Sequence, residues 1–376
     1  MKVGILTHPL ETNYGGLLQA YALQTVIRRM GHDVYTIDRH NKGARSNLPR
    51  HILGLIKRYF RRYVQRNPNV STSWNAYLTM KEKDILGKNT WKFVQKNIKI
   101  TNRVWSHELK DIDEKYQFDA YVVGSDQIWL PNYCPNSFLD FVKRDNVIKC
   151  SYAASCSCAS WSPELTDACR PLARSFKGLS VREIDLIEFC RKEFGCAAQH
   201  VLDPTLLLDK EDYLTVVDKN IKGDDIIFSY ILDDTQEKRS LVEKVSKHYG
   251  VGVAWVNAER PYYKRNDVDI NECIFPSVDN WINNLNNAKF VITDSFHGMA
   301  MSIVFKKPFI VIANKKRGLS RFESMLGLFG LESRLILNVN DFTEEHLLAI
   351  NYDNVYDIIK SKRKESIEFL NTMLSK

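Results

Sequence analysis

The 376-residue chain has no apolar run approaching the ~18–20 residues that a membrane-spanning helix requires. Its first segment, Met1 to Thr7, is too short for the apolar core of a signal peptide, and no small-residue cleavage site follows. It reads as a β-strand, and the expected location is the cytoplasm, at most the inner face of a membrane. Cysteine occurs eight times but never as CxxC; only Cys156 and Cys158 stand close together. On one strand those two would share a face, which makes a metal conceivable. Free cysteine more often acts as a small buried hydrophobe, in a reducing compartment. No GxGxxG is present. The paired glycines of Asn13-Tyr14-Gly15-Gly16 lack the acidic ribose partner of a dinucleotide site, so NAD binding is excluded. Repeats and low-complexity segments are absent. Charge of one sign is not in large excess: 53 basic and 45 acidic residues leave +8. That balance suits an anionic substrate or a lipid surface, and no nucleic-acid-reading motif accompanies it.

What is present is sustained strand–helix alternation. Lys2–His8 is a strand, Leu17–Met30 a helix stopped by Gly31, and His32–Asp38 the next strand. Further strands are expected at Phe118–Gly124, Val147–Ala154, Leu179–Arg182 and His200–Leu202, with a helix at Glu183–Phe194. A second set comprises strands at Ile226–Leu232, Val251–Val256, Phe290–Thr293 and Phe309–Ala313. Helices at Lys238–Tyr249, Ser277–Ala288 (capped by Ser277), Gly298–Phe305 and Asn354–Leu374 belong with it. Such alternation implies parallel sheets with ligand loops at the carboxyl ends of the strands. At ~150 residues per domain the chain holds more than one unit. The expected division is 1–215, with a helical insertion at about 41–115, then 216–352, and a final helix over 353–376 that packs back on the first domain. Within the insertion, residues 50–66 form a basic amphipathic helix. It is either a solvated helix packed by its apolar side or a contact to anionic membrane.

Five segments carry candidate chemistry. In Thr293-Asp294-Ser295-Phe296-His297-Gly298 a buried strand turns into a helix. The unpaired N–H groups and dipole of that helix favour an anion near Ser295, Phe296 and Gly298. His297 stands at its mouth, suited to proton exchange near neutral pH or, alternatively, to packing. Arg182, at another strand end, can fork onto a phosphate or carboxylate, or pair with Glu183. Gly124-Ser125-Asp126-Gln127 offers close backbone approach and groups for sugar hydroxyls, or an Asx turn. Asn13 and Tyr14 belong to the strand-to-helix loop that precedes the first helix. The loop Asn257–Asn271 contributes Tyr262 and Tyr263, whose faces suit sugar rings, or is simply an exposed, variable connection.

In order along the chain, NYGGLLQAYALQ, VVGSDQIW, SVRE, VLDPTLLL, TDSFHGMAMSIVFKKPFIVI and KKRGLSRFESMLGLFGL resemble the polysaccharide pyruvyl transferase family, from Val3 to about Leu331. The resemblance implies a GT-B-like fold, that is, α/β with two Rossmann-like domains facing across a cleft. It also implies transfer of a pyruvyl group from phosphoenolpyruvate to hydroxyls of a cell-surface or exopolysaccharide sugar, forming a ketal, with no further cofactor and no metal. Arg182 matches the family's donor-binding arginine and His297 its catalytic acid or base, while Asp126 falls to the acceptor side of the chemistry. Many members carry Arg-Leu-His where this chain has Ser295-Phe296-His297. Either Lys315, Lys316, Arg317 or Arg321 then supplies the missing charge, or the donor differs; Lys316 and Arg321 are the expected donor-binding cations. The expected acceptor contacts are Asn13, Tyr14, Ser125, Gln127, Tyr262 and Tyr263, on a glycan or lipid-linked saccharide. Two rivals remain at this level: a nucleotide-sugar glycosyltransferase and a non-catalytic glycan-binding homologue.

Overall fold

The computed structural model describes residues 1–40, 48–66, 78–156, 161–218, 225–256, 258, 268–313 and 318–375, with only the backbone at 48–51. The first sheet contains β1 (Lys2–Leu6), β2 (Asp33–Thr36), β3 (Ala120–Val123) and β4 (Ile148–Ser151), in the order β2-β1-β3-β4. All its pairs are parallel. Parallel bridges Cys150↔Gly178 and Ala154↔Val181 extend it to β5 (Leu179–Val181), which pairs with β6 (Ala198–His200). The central strands are apolar on both faces because helices cover both sides; β3, for instance, is buried throughout. The second sheet is also fully parallel. Its strands are β7 (Ile226–Tyr230), β8 (Gly252–Trp255), β9 (Ala288–Thr293), β10 (Phe309–Ile312) and β11 (Leu335–Ile336), ordered β8-β7-β9-β10-β11.

Helix α1 (Tyr14–Arg29) starts on Asn13, whose side chain accepts the Gly16 N–H, and ends with Arg28 and Arg29 near its negative pole. Thirteen of its sixteen residues are buried, so it is enclosed rather than laid on a surface. Helix α2 (Leu48–Tyr59) continues through a π-helical turn, Phe60–Val64. Helix α3 (Val278–Asn287) is capped by Ser277 and buries Trp281, Ile282 and Leu285 completely. Helix α4 (Phe296–Val304) begins two residues earlier than its sequence pattern indicates. The Ser295 hydroxyl caps it, which draws Phe296 and His297 into the first turn. The expected helix Glu183–Phe194 is a short α-helix, Asp185–Phe189, followed by a π-helical turn, Cys190–Phe194.

After α5 (Ser320–Phe329), helix α6 (Tyr352–Leu374) crosses from one sheet system to the other. Near its start the Tyr356 hydroxyl donates to the Val304 carbonyl. Further along, Arg363 donates to the carbonyls of Leu206 and Leu208, and Ser366 Oγ accepts the Leu202 N–H. Gly178 admits Met373, whose sulfur would lie 2.4 Å from an added Cβ.

One glycine is demanded outright. Gly124 has φ +139°, and a Cβ there would stand 2.0 Å from the Tyr152 carbonyl oxygen. Gly124→Ala combines a disallowed backbone with a backbone clash, so it should lower unfolding free energy by roughly 2–4 kcal/mol in denaturant titration.

Candidate functional site

The strands of both sheets end facing one another, and the loops after β1, β3, β5 and β9 supply the polar groups in the gap. Arg182 follows β5 and is almost wholly buried. Its Nη2 donates to Asp126 Oδ1 (2.9 Å), its Nη1 to Asp203 Oδ2 (2.7 Å), and its Nε approaches Glu183 Oε1 (3.4 Å). The guanidinium also lies over the Phe296 ring, 4.2 Å from its centroid. His297 comes from the other domain: its Nε2 stands 3.7 Å from the same Asp203 Oδ2 and has no hydrogen-bond partner. Asp203 is therefore where the two key residues meet.

Local sequence explains how Asp203 is held. It precedes Pro204, and its Oδ1 accepts both the N–H and the hydroxyl of Thr205, leaving Oδ2 for Arg182, His297 and the Ser125 hydroxyl (3.2 Å). Asp126 adopts a left-handed conformation (φ +61°) that Asp tolerates, and its Oδ2 faces His8 Nδ1 at 3.8 Å. Burial opposes ionisation of Asp126, but His8, Arg182, His297 and Arg321 outweigh it and hold its pKa below the ordinary range. Asp203 is likewise held down: burial is overcome by the nearness of His297, by Arg182 and by the Thr205 N–H. Glu183 goes the other way, since burial pushes its carboxyl up despite Arg182, Ser155 and Arg321.

The candidate residues divide accordingly. Asp126, Arg182, Phe296 and His297 are brought together. Arg321, on α5, joins them, its guanidinium 5.7 Å from the Phe296 centroid and its charge felt by Asp126 and Glu183. Of the four cations considered for the missing arginine, Arg321 thus lies beside the Ser-Phe-His turn. Ser125 is buried and spends its hydroxyl on Asp203 and on the Ala153 carbonyl. Gln127 is half-buried beside Asp126. Lys316, Tyr262 and Tyr263 lie outside the described residues, as do Lys315, Arg317 and Cys158.

Several expectations need correction. The guanidinium of Arg182 is not an open fork awaiting a donor, because each of its three nitrogens already faces a carboxylate. Gly298 and Ser295 spend their polar groups on the fold: the Gly298 N–H points to Ser295 Oγ (3.4 Å), and a Cβ on Gly298 would meet Thr293 Oγ1 at 2.2 Å. Tyr14 does not present itself to an acceptor. It is buried, donates to the Pro276 carbonyl (2.8 Å) and packs against Trp281 and Tyr230, joining the two domains. Asn13 is a helix cap. The paired glycines have a steric purpose: a Cβ on Gly15 would fall 2.2 Å from the His297 ring. Asp294 ties down the loop after β7, accepting from the N–H groups of Leu232 and Asp233 and from Lys238 Nζ. Glu183 pairs with Arg182 as its adjacency in sequence allows, whereas Asp203 and His8 were not expected at the site. The rule that ligand loops follow strand ends would have found both.

Two parallel Rossmann-like sheets with a polar gap at their facing carboxyl ends define a GT-B-like protein. A crystal structure of UDP-GlcNAc 2-epimerase from Neisseria meningitidis bound to UDP-GlcNAc has a similar fold, with TM-score 0.52, 10% identity, and 99% of this chain matched to 100% of that one. A Listeria monocytogenes protein assigned to the same enzyme class gives TM-score 0.50 at 10% identity, over 98% of this chain and 90% of its own. At such identity the likeness concerns the fold alone. The family model of polysaccharide pyruvyl transferase matches residues 13–316, and the chain belongs to that family. No curated protein matches the sequence.

The two depressed carboxyl groups set an acid limit. Their folded-state pKa values lie below the unfolded value of ~3.9, so the unfolded chain binds protons first as pH falls. Their stabilising contribution is complete above that value and drains away below it. Thermal melts should show Tm falling steeply below about pH 4, and Asp126→Asn should flatten that slope.

Proposed function

We propose that the protein transfers the pyruvyl group of phosphoenolpyruvate to two hydroxyls of a saccharide, forming a ketal and releasing phosphate. Family membership supports pyruvyl transfer in general. The observation that carries the finer reading is the meeting of His297 and Arg182 on one Asp203 oxygen at the junction of the domains.

The reaction needs the methylene carbon of the donor protonated, so that the adjacent carbon accepts a hydroxyl oxygen. Phosphate then leaves and the second hydroxyl closes the ketal. One hydroxyl proton ends on the new methyl group and the other on phosphate. We assign His297 to proton transfer: its Nε2 is buried and unpartnered, and it stands 3.7 Å from Asp203 Oδ2. Asp126 stays ionised and can stabilise positive charge developing at the attacked carbon. Arg321 supplies cationic charge for the donor's anions. Arg182 acts one step removed, as the clamp that holds both carboxylates in place.

Saturating phosphoenolpyruvate, and not UDP, should raise Tm in a thermal-shift assay. His297→Ala should keep that shift while losing about 10²–10⁴-fold in turnover, followed by phosphate release with a saccharide acceptor. A shift with UDP alone would instead mark a nucleotide-sugar enzyme.

We also propose that α2 and its π-helical turn rest on anionic membrane, where a lipid-linked acceptor would be met. Among the described residues, seven of the eleven exposed large hydrophobic side chains fall between Ile52 and Val64. Lys57, Arg61 and Arg66 are exposed in the same stretch. A soluble surface has no use for so much uncovered apolar area beside basic groups, whereas an anionic interface accommodates both. No helix among the described residues is long and apolar enough to cross a membrane. The protein should co-sediment with phosphatidylserine-containing vesicles and not with phosphatidylcholine vesicles. Ile56→Asp with Phe60→Asp should abolish co-sedimentation at unchanged Tm.

A further inference from the structure

Along the carboxyl edge of the first sheet, the strand order β2-β1-β3 sets out three residues in a row: Arg39, His8 and Asp126. Asp126 is absorbed by the Arg182 cluster, but Arg39 is not. Its side chain is wholly enclosed, and its Nη2 donates to the Thr7 carbonyl at 3.3 Å. Its Nε and Nη1 have no partner, and among the described residues no carboxylate pairs with it. His8 Nε2 is also buried without a hydrogen-bond partner. Both residues meet the half-buried ring of Tyr133, whose centroid is 4.7 Å from the Arg39 guanidinium carbon and 4.6 Å from the His8 ring centre.

A buried cation without a counter-charge is costly, and an aromatic face repays only part of that cost. Burial pulls the Arg39 guanidinium down to about 10, so it stays charged at neutral pH. The arrangement is thus short of one negative group, and the unused Nε and Nη1 donors of Arg39, beside the His8 ring, are the place for it. Its position indicates whose group this is. The cations and imidazole assigned to the donor, Arg321 and His297, come from the second domain and act on Asp126, whereas Arg39 lies beyond β1 on the far side of His8.

We propose that Arg39 and His8, covered by Tyr133, form an anion-binding subsite for the acceptor, taking a carboxylate or phosphate borne by the saccharide. Only the word acceptor rests on the pyruvyl-transfer reading; the anion site itself does not.

Titration calorimetry on the full chain saturated with phosphoenolpyruvate tests this with three probes: inorganic phosphate, glucuronate and glucose 1-phosphate. One further anion should bind. Arg39→Gln should weaken that binding at least tenfold while changing phosphoenolpyruvate affinity less than twofold, and Arg39→Lys should fall between. Preference for glucuronate would identify a uronic acid, and preference for glucose 1-phosphate a phosphorylated sugar. Failure of all three probes to bind, or equal binding by Arg39→Gln, would overturn the subsite. If Arg39→Gln does not fold, crystals of the unaltered protein soaked in selenate decide the matter: anomalous density within hydrogen-bond reach of Arg39 supports the site, and its absence removes it. Loss of the phosphoenolpyruvate response with an Arg39-dependent anion site retained would defeat the donor reading and leave this one standing.

Discussion

The architecture turns on one buried carboxylate. Asp203 sits where the first sheet system hands the chain over to the second, and its Oδ2 faces Arg182 from one domain and His297 from the other. Burying such a cluster is expensive, and only dense pairing compensates. Here one guanidinium serves two ionised carboxylates, with an imidazole and a second arginine nearby. Removing any member would leave an uncompensated charge in a site closed to water. The ionic arrangement therefore constrains how the domains meet as well as what the gap can do.

Helix α1 makes that meeting close. Its enclosure on nearly all sides follows from contact with the Pro204–Leu207 turn and with α4, and its first turn carries the residue that touches the imidazole. Gly15 has no side chain because the His297 ring occupies that space. Tyr14, one residue earlier, reaches across to Pro276 and Trp281. Helix α6 closes the other side, bonded first to the α4 region and then to the inter-domain turn. Position of the imidazole is thus shared among a glycine, a helix start and a buried aspartate from three distant parts of the chain.

Much of the site was legible beforehand. His297, Arg182 and Asp126 each stand where a buried strand gives way to a polar turn, a pattern visible in linear order. Roles were harder to read. Arg182 could be read as an anion fork or as a partner of Glu183, and nothing in SVRE shows that Asp126 and Asp203, 56 and 21 residues away, would converge on it. Tyr14 was expected to contact the acceptor because its partners, Pro276 and Trp281, belong to the other domain and are not visible in the local sequence. Gly298 looked like an N–H donor site, whereas its lack of a side chain serves the approach of α4 to Thr293.

Periodicity and strand-end chemistry, which act over a few residues, determined the two parallel sheets, the helix positions and the short set of polar turns. They depend only on local sequence: which side chains alternate, where a cap stands, where glycine breaks a run. Tertiary structure alone decided which of those turns share a charge, which glycine makes room for which ring, and that Arg39 is buried with no carboxylate partner among the described residues. Such facts depend on distances between segments far apart in the chain, and burial sets the strength of every charge among them.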